Sequence, residues 1–131
     1  MIAIDTNVLV RLVVNDDPDQ TRRAVKLFKK GEVLVRSTVL LEAAWVLASA
    51  YGLDRARVSR SLRSVLGIEG VAADDPAAVA QALEWFDGGL DFADALHLAG
   101  AHRASTFATF DERLVRKAAR AGIASVSLVS R

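Results

Sequence analysis

The sequence predicts an α/β fold of three layers, α/β/α, with a short parallel central sheet. Three observations carry that prediction. Short β-rich runs alternate with longer stretches of helical period. The β-rich runs are short and mainly apolar, as strands covered on both sheet faces are. Strands separated by helices need crossover connections, which make neighbouring strands parallel. The 131 residues contain no repeat, linker or low-complexity stretch, so one domain over 1–131 is expected.

Taken in order, Ile2-Ala3-Ile4 reads as a buried, central strand. Asp17-Pro18 opens a helix, with Pro where its missing N–H costs nothing. Ala24, Val25 and Phe28 form its apolar stripe and Gly31 stops it. Val33-Leu34-Val35 is the second strand, and a helix follows from about Val39 to Tyr51, ended by Gly52. After Asp54, Val58, Leu62, Val65 and Leu66 mark one helix face, with Arg57, Arg60 and Arg63 on the other. Val71-Ala72-Ala73 is a short third strand. Asp75-Pro76 opens a helix with Val79, Leu83 and Phe86 inward, closed by Gly88-Gly89. A helix over about Phe92–Arg103, a strand over Thr106–Phe110, a helix over Glu112–Ala121 and a strand over Ser125–Val129 complete the chain.

Composition removes several function classes. Cysteine is absent, which excludes disulfide scaffolds, thiolate zinc sites and cysteine nucleophiles. A hydrophobic content of 52% with two prolines argues against disorder. The net charge of +1 does not mark a nucleic-acid binder. No basic region precedes an apolar stretch at Met1, and the most apolar window, Val39–Ala48, carries Glu42 and is about half a bilayer span. A soluble, cytoplasmic protein without membrane attachment is expected.

Most acidic residues have plain roles. Asp17, Asp54 and Asp75 stand where helix N-caps belong, and Glu32, Glu69 and Glu84 read as surface residues. Four others do not dissolve so easily. Asp5 ends the first strand, at the sheet edge where ligands of open α/β folds bind, although it also suits an N-cap for the segment from Thr6. Glu42 interrupts a helix apolar on nearly every face, which predicts burial; the alternative is a solvent gap or an ion pair. Asp94 repeats that pattern in Phe92–Ala99, one turn after Asp91, which reads first as an N-cap. His97, a turn further on, faces a metal or, more simply, packs or hydrogen-bonds. Asp111 ends another strand and suits a cap for the helix from Glu112.

Gathered in one pocket, such acids would select its contents. Two carboxylates about 5 Å apart repel by roughly 3 kcal/mol at an effective dielectric near 20. Several together take up protons or draw in cations. Oxygen-only ligands favour hard ions, Mg²⁺ or Mn²⁺. A metal in that setting activates water against a phosphodiester. The residues thus point to phosphoryl chemistry without naming a substrate.

Asp5-Thr6-Asn7-Val8-Leu9-Val10-Arg11 resembles the opening motif of the PIN-domain family, especially VapC-type toxins. Ser37–Glu42 is similar to the second motif, Asp91–Ala99 to the third and Thr109–Leu114 to the fourth. All four occur in order, and the resemblance spans the chain from Asp5 to the last strand. It implies a Mg²⁺- or Mn²⁺-dependent ribonuclease, the toxin of a type II toxin–antitoxin pair. By that resemblance Asp5, Glu42, Asp94 and Asp111 form the acidic quartet. Asp5 and Asp94 are its main metal ligands, Glu42 and Asp111 bind a second metal or orient water, and Asp91 assists. Thr6, Asn7 and Thr109 supply supporting hydrogen bonds. The same resemblance implies a VapB-like antitoxin, a homodimer, larger toxin–antitoxin assemblies, and operator DNA bound only through the antitoxin.

An RNA substrate also needs phosphate contacts. Arg57, Arg60 and Arg63 form one basic ridge, and Arg113, Arg116, Lys117 and Arg120 another, unless both are ordinary solvated helix faces. Trp45 and Trp85 read as core residues rather than base-stacking platforms. Two other readings of the same acids stay open. One is a structure-specific DNA nuclease or other phosphohydrolase, for which the chain is short. The other is a non-catalytic module whose acidic groove receives a basic peptide.

Overall fold

A computed structural model describes residues 1–130, which form seven helices and five strands among them. The chain divides into two compact units, Met1–Pro76 and the segment from Ala77 onward.

The first unit holds β1 (Ile2–Ala3), α1 (Thr6–Val13), α2 (Pro18–Lys29), β2 (Val33–Val35), α3 (Ser37–Ser49), α4 (Arg55–Leu66) and β3 (Val71–Ala73). Its strands form a parallel sheet in the order β1-β2-β3, with Ile2 opposite Val33 and Val33 opposite Val71. Within this sheet β2 is central and β1 is an edge strand. Val33 and Val35 are fully buried, whereas Ile2 and Ala3 are exposed and only Ile4 turns inward. The expectation of a buried, central first strand is thereby corrected: β1 has a hydrogen-bonded neighbour in its sheet on one side alone.

Helices supply most of the core. Leu9 and Val10 of α1, Leu40, Ala43 and Leu47 of α3, and Val58, Leu62 and Val65 of α4 are buried. α1 packs on α2 and α3. Each such leucine or valine side chain contributes about 1.5–3 kcal/mol by leaving water. In sequence, α1 is signalled only by the N-cap that Asp5 offers, because half of Thr6–Val13 is β-branched and has weak helix propensity. Tertiary burial of Thr6, Leu9 and Val10 on one face makes it a helix.

α3 begins at Ser37, two residues before the expected start. Its N-terminus is served from across the sheet by Asp74, just past β3. The Asp74 carboxylate accepts from the Ser37 backbone N–H at 3.1 Å and from the Ser37 hydroxyl at 2.6 Å. The burial expected around Glu42 is also corrected. Thr38, Glu42, Trp45 and Ser49 lie at helical spacing on an exposed face of α3. Ala43, Ala44 and Leu47 take the buried side.

The second unit holds α5 (Pro76–Asp87), which opens at the boundary, then α6 (Phe92–Gly100), β4 (Phe107–Thr109), α7 (Glu112–Arg120) and β5 (Val126–Leu128). β4 and β5 pair in parallel as a separate two-stranded sheet, Phe107 opposite Val126. α6 stops at Gly100 rather than near Arg103. Phe86 and Phe92 meet edge to face, centroids 5.4 Å apart, and clamp α5 to α6. The turn between them needs Gly89, whose φ of +116° suits glycine alone, and is closed by the Leu90 N–H donating to the Trp85 carbonyl at 3.0 Å. In α7, Leu114 and Ala118 are buried while Arg113, Arg116 and Arg120 face solvent.

Candidate active site

In the first unit, Asp5 stands between β1 and α1 with extended backbone, and its Oδ1 accepts from the Val8 N–H at 3.3 Å. Asp5 is therefore an N-cap, and its Oδ2 has no protein partner among the described residues. Thr6, the first residue of α1, is buried, and its hydroxyl donates to Glu42 Oε1 on α3. This bond aims an exposed carboxylate that α3 alone would leave free to rotate. Asn7 is exposed and lines a cleft of about 390 Å³ together with Asp5, Arg11, Gln20 and Arg23.

Arg11 is fixed from three directions. Its Nε donates to Gln20 Oε1 at 2.7 Å, and its Nη1 donates to Asp16 Oδ1 at 3.1 Å and to the Tyr51 hydroxyl oxygen at 2.9 Å. The Tyr51 hydroxyl in turn donates to Asp16 Oδ2 at 2.7 Å. The Tyr51 hydrogen bond, against some burial and with the Asp16 charge, raises the guanidinium pKa further above its ordinary value. Arg11 closes the Asp5–Arg11 motif and lines the same cleft as Asp5, but its anchor is not visible in the motif, because Tyr51 lies forty residues away.

In the second unit, Asp91 caps α6: its Oδ2 accepts from the Asp94 N–H at 3.2 Å. Asp94 is half-buried in the first turn. Burial, then the charges of Asp91 and Asp111, hold its carboxyl above the ordinary range, against the opposing pull of His97 and Lys117. His97 is exposed. Asp111 caps α7, accepting at Oδ1 from the Arg113 N–H at 2.9 Å and the Leu114 N–H at 3.2 Å. The Thr109 hydroxyl oxygen accepts from the Asp111 N–H at 3.0 Å and so fixes the strand-to-helix corner. Asp5 and Asp111 thus occupy equivalent local positions, each ending a strand and capping the next helix.

Among the described residues, no three acidic or histidine side chains lie close enough to hold a metal ion together. Mg²⁺ is commonly held by one or two carboxylates with water completing its shell. Oxygen-only donors, and an Asp94 carboxyl facing two like charges, fit a hard cation in kind.

The profile of the PIN domain matches residues 2–120. The chain belongs to the PIN-domain family. PIN domains are in general metal-dependent nucleases, hydrolysing phosphodiester bonds. No curated protein matches this PIN domain. No helix among its described residues is long and apolar enough to cross a membrane.

The basic residues of this PIN domain divide. Arg57 and Arg60 line a cleft of about 890 Å³ whose other walls include Leu12, Val14 and Leu53. Arg63 is outside that lining, and its Nε donates to Ser59 Oγ at 3.3 Å. All three arginines of the first ridge are exposed, and two of them line the cleft. Arg113 and Arg116 are exposed, while Lys117 and Arg120 line a cleft of about 530 Å³ with Glu84 and Trp85. Trp85 is half-buried, but Trp45 is 69% exposed, which corrects its assignment to the core.

Proposed function

We propose that this PIN domain is a Mg²⁺- or Mn²⁺-dependent endoribonuclease, acting in the cytoplasm as the toxin of a type II toxin–antitoxin pair. The observation that carries the reading is Asp94, half-buried against the charges of Asp91 and Asp111 in a chain of this family. Such a group gains when a cation neutralises the like charges around it.

Asp5 and Asp94 act as the main metal ligands. Glu42 and Asp111 hold a second cation or orient the attacking water, and Asp91 adds charge beside Asp94. When bound, the cation supplies charge to the phosphoryl oxygens and acidity to the attacking water. Thr6 holds the Glu42 carboxylate in one orientation, and Thr109 holds the corner that presents Asp111. Asn7, on the Asp5 cleft, supports that carboxylate's surroundings. Arg57, Arg60, Arg113 and Arg116 contact phosphates without reading sequence.

The four motif resemblances support the toxin role. It brings a VapB-like antitoxin that covers the acidic residues, a homodimer, larger toxin–antitoxin assemblies, and operator contact through the antitoxin alone.

The test is a panel of single-stranded RNA, branched DNA and small phosphate esters, each with Mg²⁺ or Mn²⁺. RNA cleavage is expected, with growth arrest on expression that Asp5→Asn or Asp94→Asn relieves. Hydrolysis confined to branched DNA or to the small esters would overturn the reading.

A further inference from the structure

The chain has two tryptophans, one tyrosine and five phenylalanines. Phe28, Phe86 and Phe92 are buried, and Tyr51, Trp85 and Phe107 are partly so. Two aromatic rings stand in solvent: Trp45 at 69% exposure and Phe110 at 83%. Neither position is arbitrary. Trp45 lies three residues after Glu42, one turn along the same exposed face of α3. Phe110 immediately precedes Asp111, at the corner from β4 into α7. In each unit the residue that bears the exposed ring lies within three positions of a carboxylate assigned above to the nuclease chemistry.

We infer that Trp45 and Phe110 are stacking residues for unpaired bases of a single-stranded RNA substrate. This rests on the ribonuclease reading for its choice of ligand and names the substrate form that reading requires. A base in a duplex hides its faces in the helical stack, whereas an unpaired base offers one to an aromatic ring. Stacking on such rings tolerates sequence because every base has a π-face. Charge supports the same occupant: Arg113 and Arg116, both exposed on α7, follow Phe110 by three and six residues and suit the phosphates of a strand whose base lies on that ring. At Trp45, Ser49 donates to the Trp45 carbonyl at 2.6 Å, so the backbone that carries the ring is held. A ring so placed positions the nucleotide beside Glu42 without entering the chemistry.

The experiment uses the full chain with Trp85→Phe, which leaves Trp45 as the sole tryptophan. Fluorescence is followed by stopped flow in Mg²⁺, ahead of turnover. The probes are a single-stranded RNA of about twelve nucleotides, the same RNA as a duplex, and an abasic strand of equal charge. The single strand is expected to quench Trp45, and the duplex and abasic strand are not. Trp45→Leu and Phe110→Leu should each weaken single-strand binding, and raise KM, by about 5- to 150-fold with kcat little changed. Trp45→Phe should restore most of it, and melting temperatures should hold because both rings are exposed. Equal quenching by all three probes, or Leu variants with unchanged KM, would overturn the proposal. So would a Trp45→Leu change that turns a dimer into a monomer, since the ring would then belong to an interface between copies. Quenching without RNA cleavage leaves the stacking residues standing and removes the ribonuclease reading. Cleavage without quenching does the reverse.

Discussion

The hydroxyl of Thr6 donates to Glu42 Oε1, tying the first turn of α1 to α3 across thirty-six residues of sequence. Thr6 is buried and Glu42 is exposed, so the bond runs from the packed side of the unit to a carboxylate open to solvent. It uses one carboxylate oxygen and leaves Oε2 without a protein partner among the described residues. Asp5, the residue before Thr6, caps the same helix. Two acids are thus oriented by one short segment.

Thr6→Val keeps shape and removes the donor. Glu42 can regain water, so the stability cost should be only about 1 kcal/mol. RNA cleavage should fall further, about 10- to 100-fold, as for other residues that orient a ligand group. Thr6→Ser should restore most of the rate. Cleavage and chemical denaturation, measured on the same preparations, check the split. A Val variant with full activity would remove Thr6 from the account.

Asp74 gives a pH-dependent prediction away from the chemistry. Burial pushes its carboxyl up, but the Ser37 hydroxyl and N–H, the Asp75 N–H and the Arg36 charge together hold it below the ordinary range. Its contribution is therefore present above the ordinary carboxylate pKa and lost as pH falls through its lowered folded-state value. Asp74→Ala should cost about 1 kcal/mol near neutral pH, as loss of a helix cap does. The gap between variant and parent should close in acid. Denaturant midpoints at about pH 7 and about pH 3 decide it, and a gap that persists in acid contradicts the assignment.

Asp94 behaves in the opposite sense. Its folded-state pKa is raised by burial and by Asp91 and Asp111, so ionising it opposes folding. That penalty is absent below the ordinary Asp value of about 3.9 and grows as pH rises through the raised one. Asp94→Asn should melt higher than the parent near neutral pH in chelator. Mg²⁺ or Mn²⁺ should raise the melting temperature of the parent and leave the variant nearly unmoved, by linkage of binding to folding. Equal metal-induced shifts in both proteins would separate Asp94 from the cation.

The arginines should differ in salt response. Removing one phosphate contact lowers the slope of log affinity against log salt by about 0.7 for a single strand. Arg57→Gln and Arg113→Gln should each show that change in RNA-binding titrations. Arg63→Gln should not, since Arg63 is outside the Arg57–Arg60 cleft and its Nε bonds to Ser59. An Arg63 slope change as large as that of Arg57 would count against the divided ridge.

Local signals carried most of the fold. Asp17 and Asp54 cap their helices as their positions foretell, accepting from Gln20 and Arg57 N–H groups, because a cap reads only the next three residues. Strands β2 and β3 lie where their apolar runs place them. What escaped depends on partners far away in sequence. α1 forms against the β-branched propensity of its residues because packing rewards it. Asp74 caps a helix thirty-seven residues before it. Trp45 looked like core because an apolar helix does not announce which of its faces will stay open. At the site, the acids stand out in sequence because apolar segments make a lone carboxylate conspicuous. The polar groups that aim them, the Thr6 hydroxyl above all, become visible only in three dimensions.

The most direct measurement is cleavage of single-stranded RNA by the purified chain before chelation, after chelation, and after Mg²⁺ or Mn²⁺ is restored. Cleavage is expected to stop with chelator, to return with either ion, and to be absent throughout in Asp5→Asn and Asp94→Asn. Cleavage that continues unchanged in chelator, or that survives in both variants, would contradict the metal-dependent ribonuclease reading.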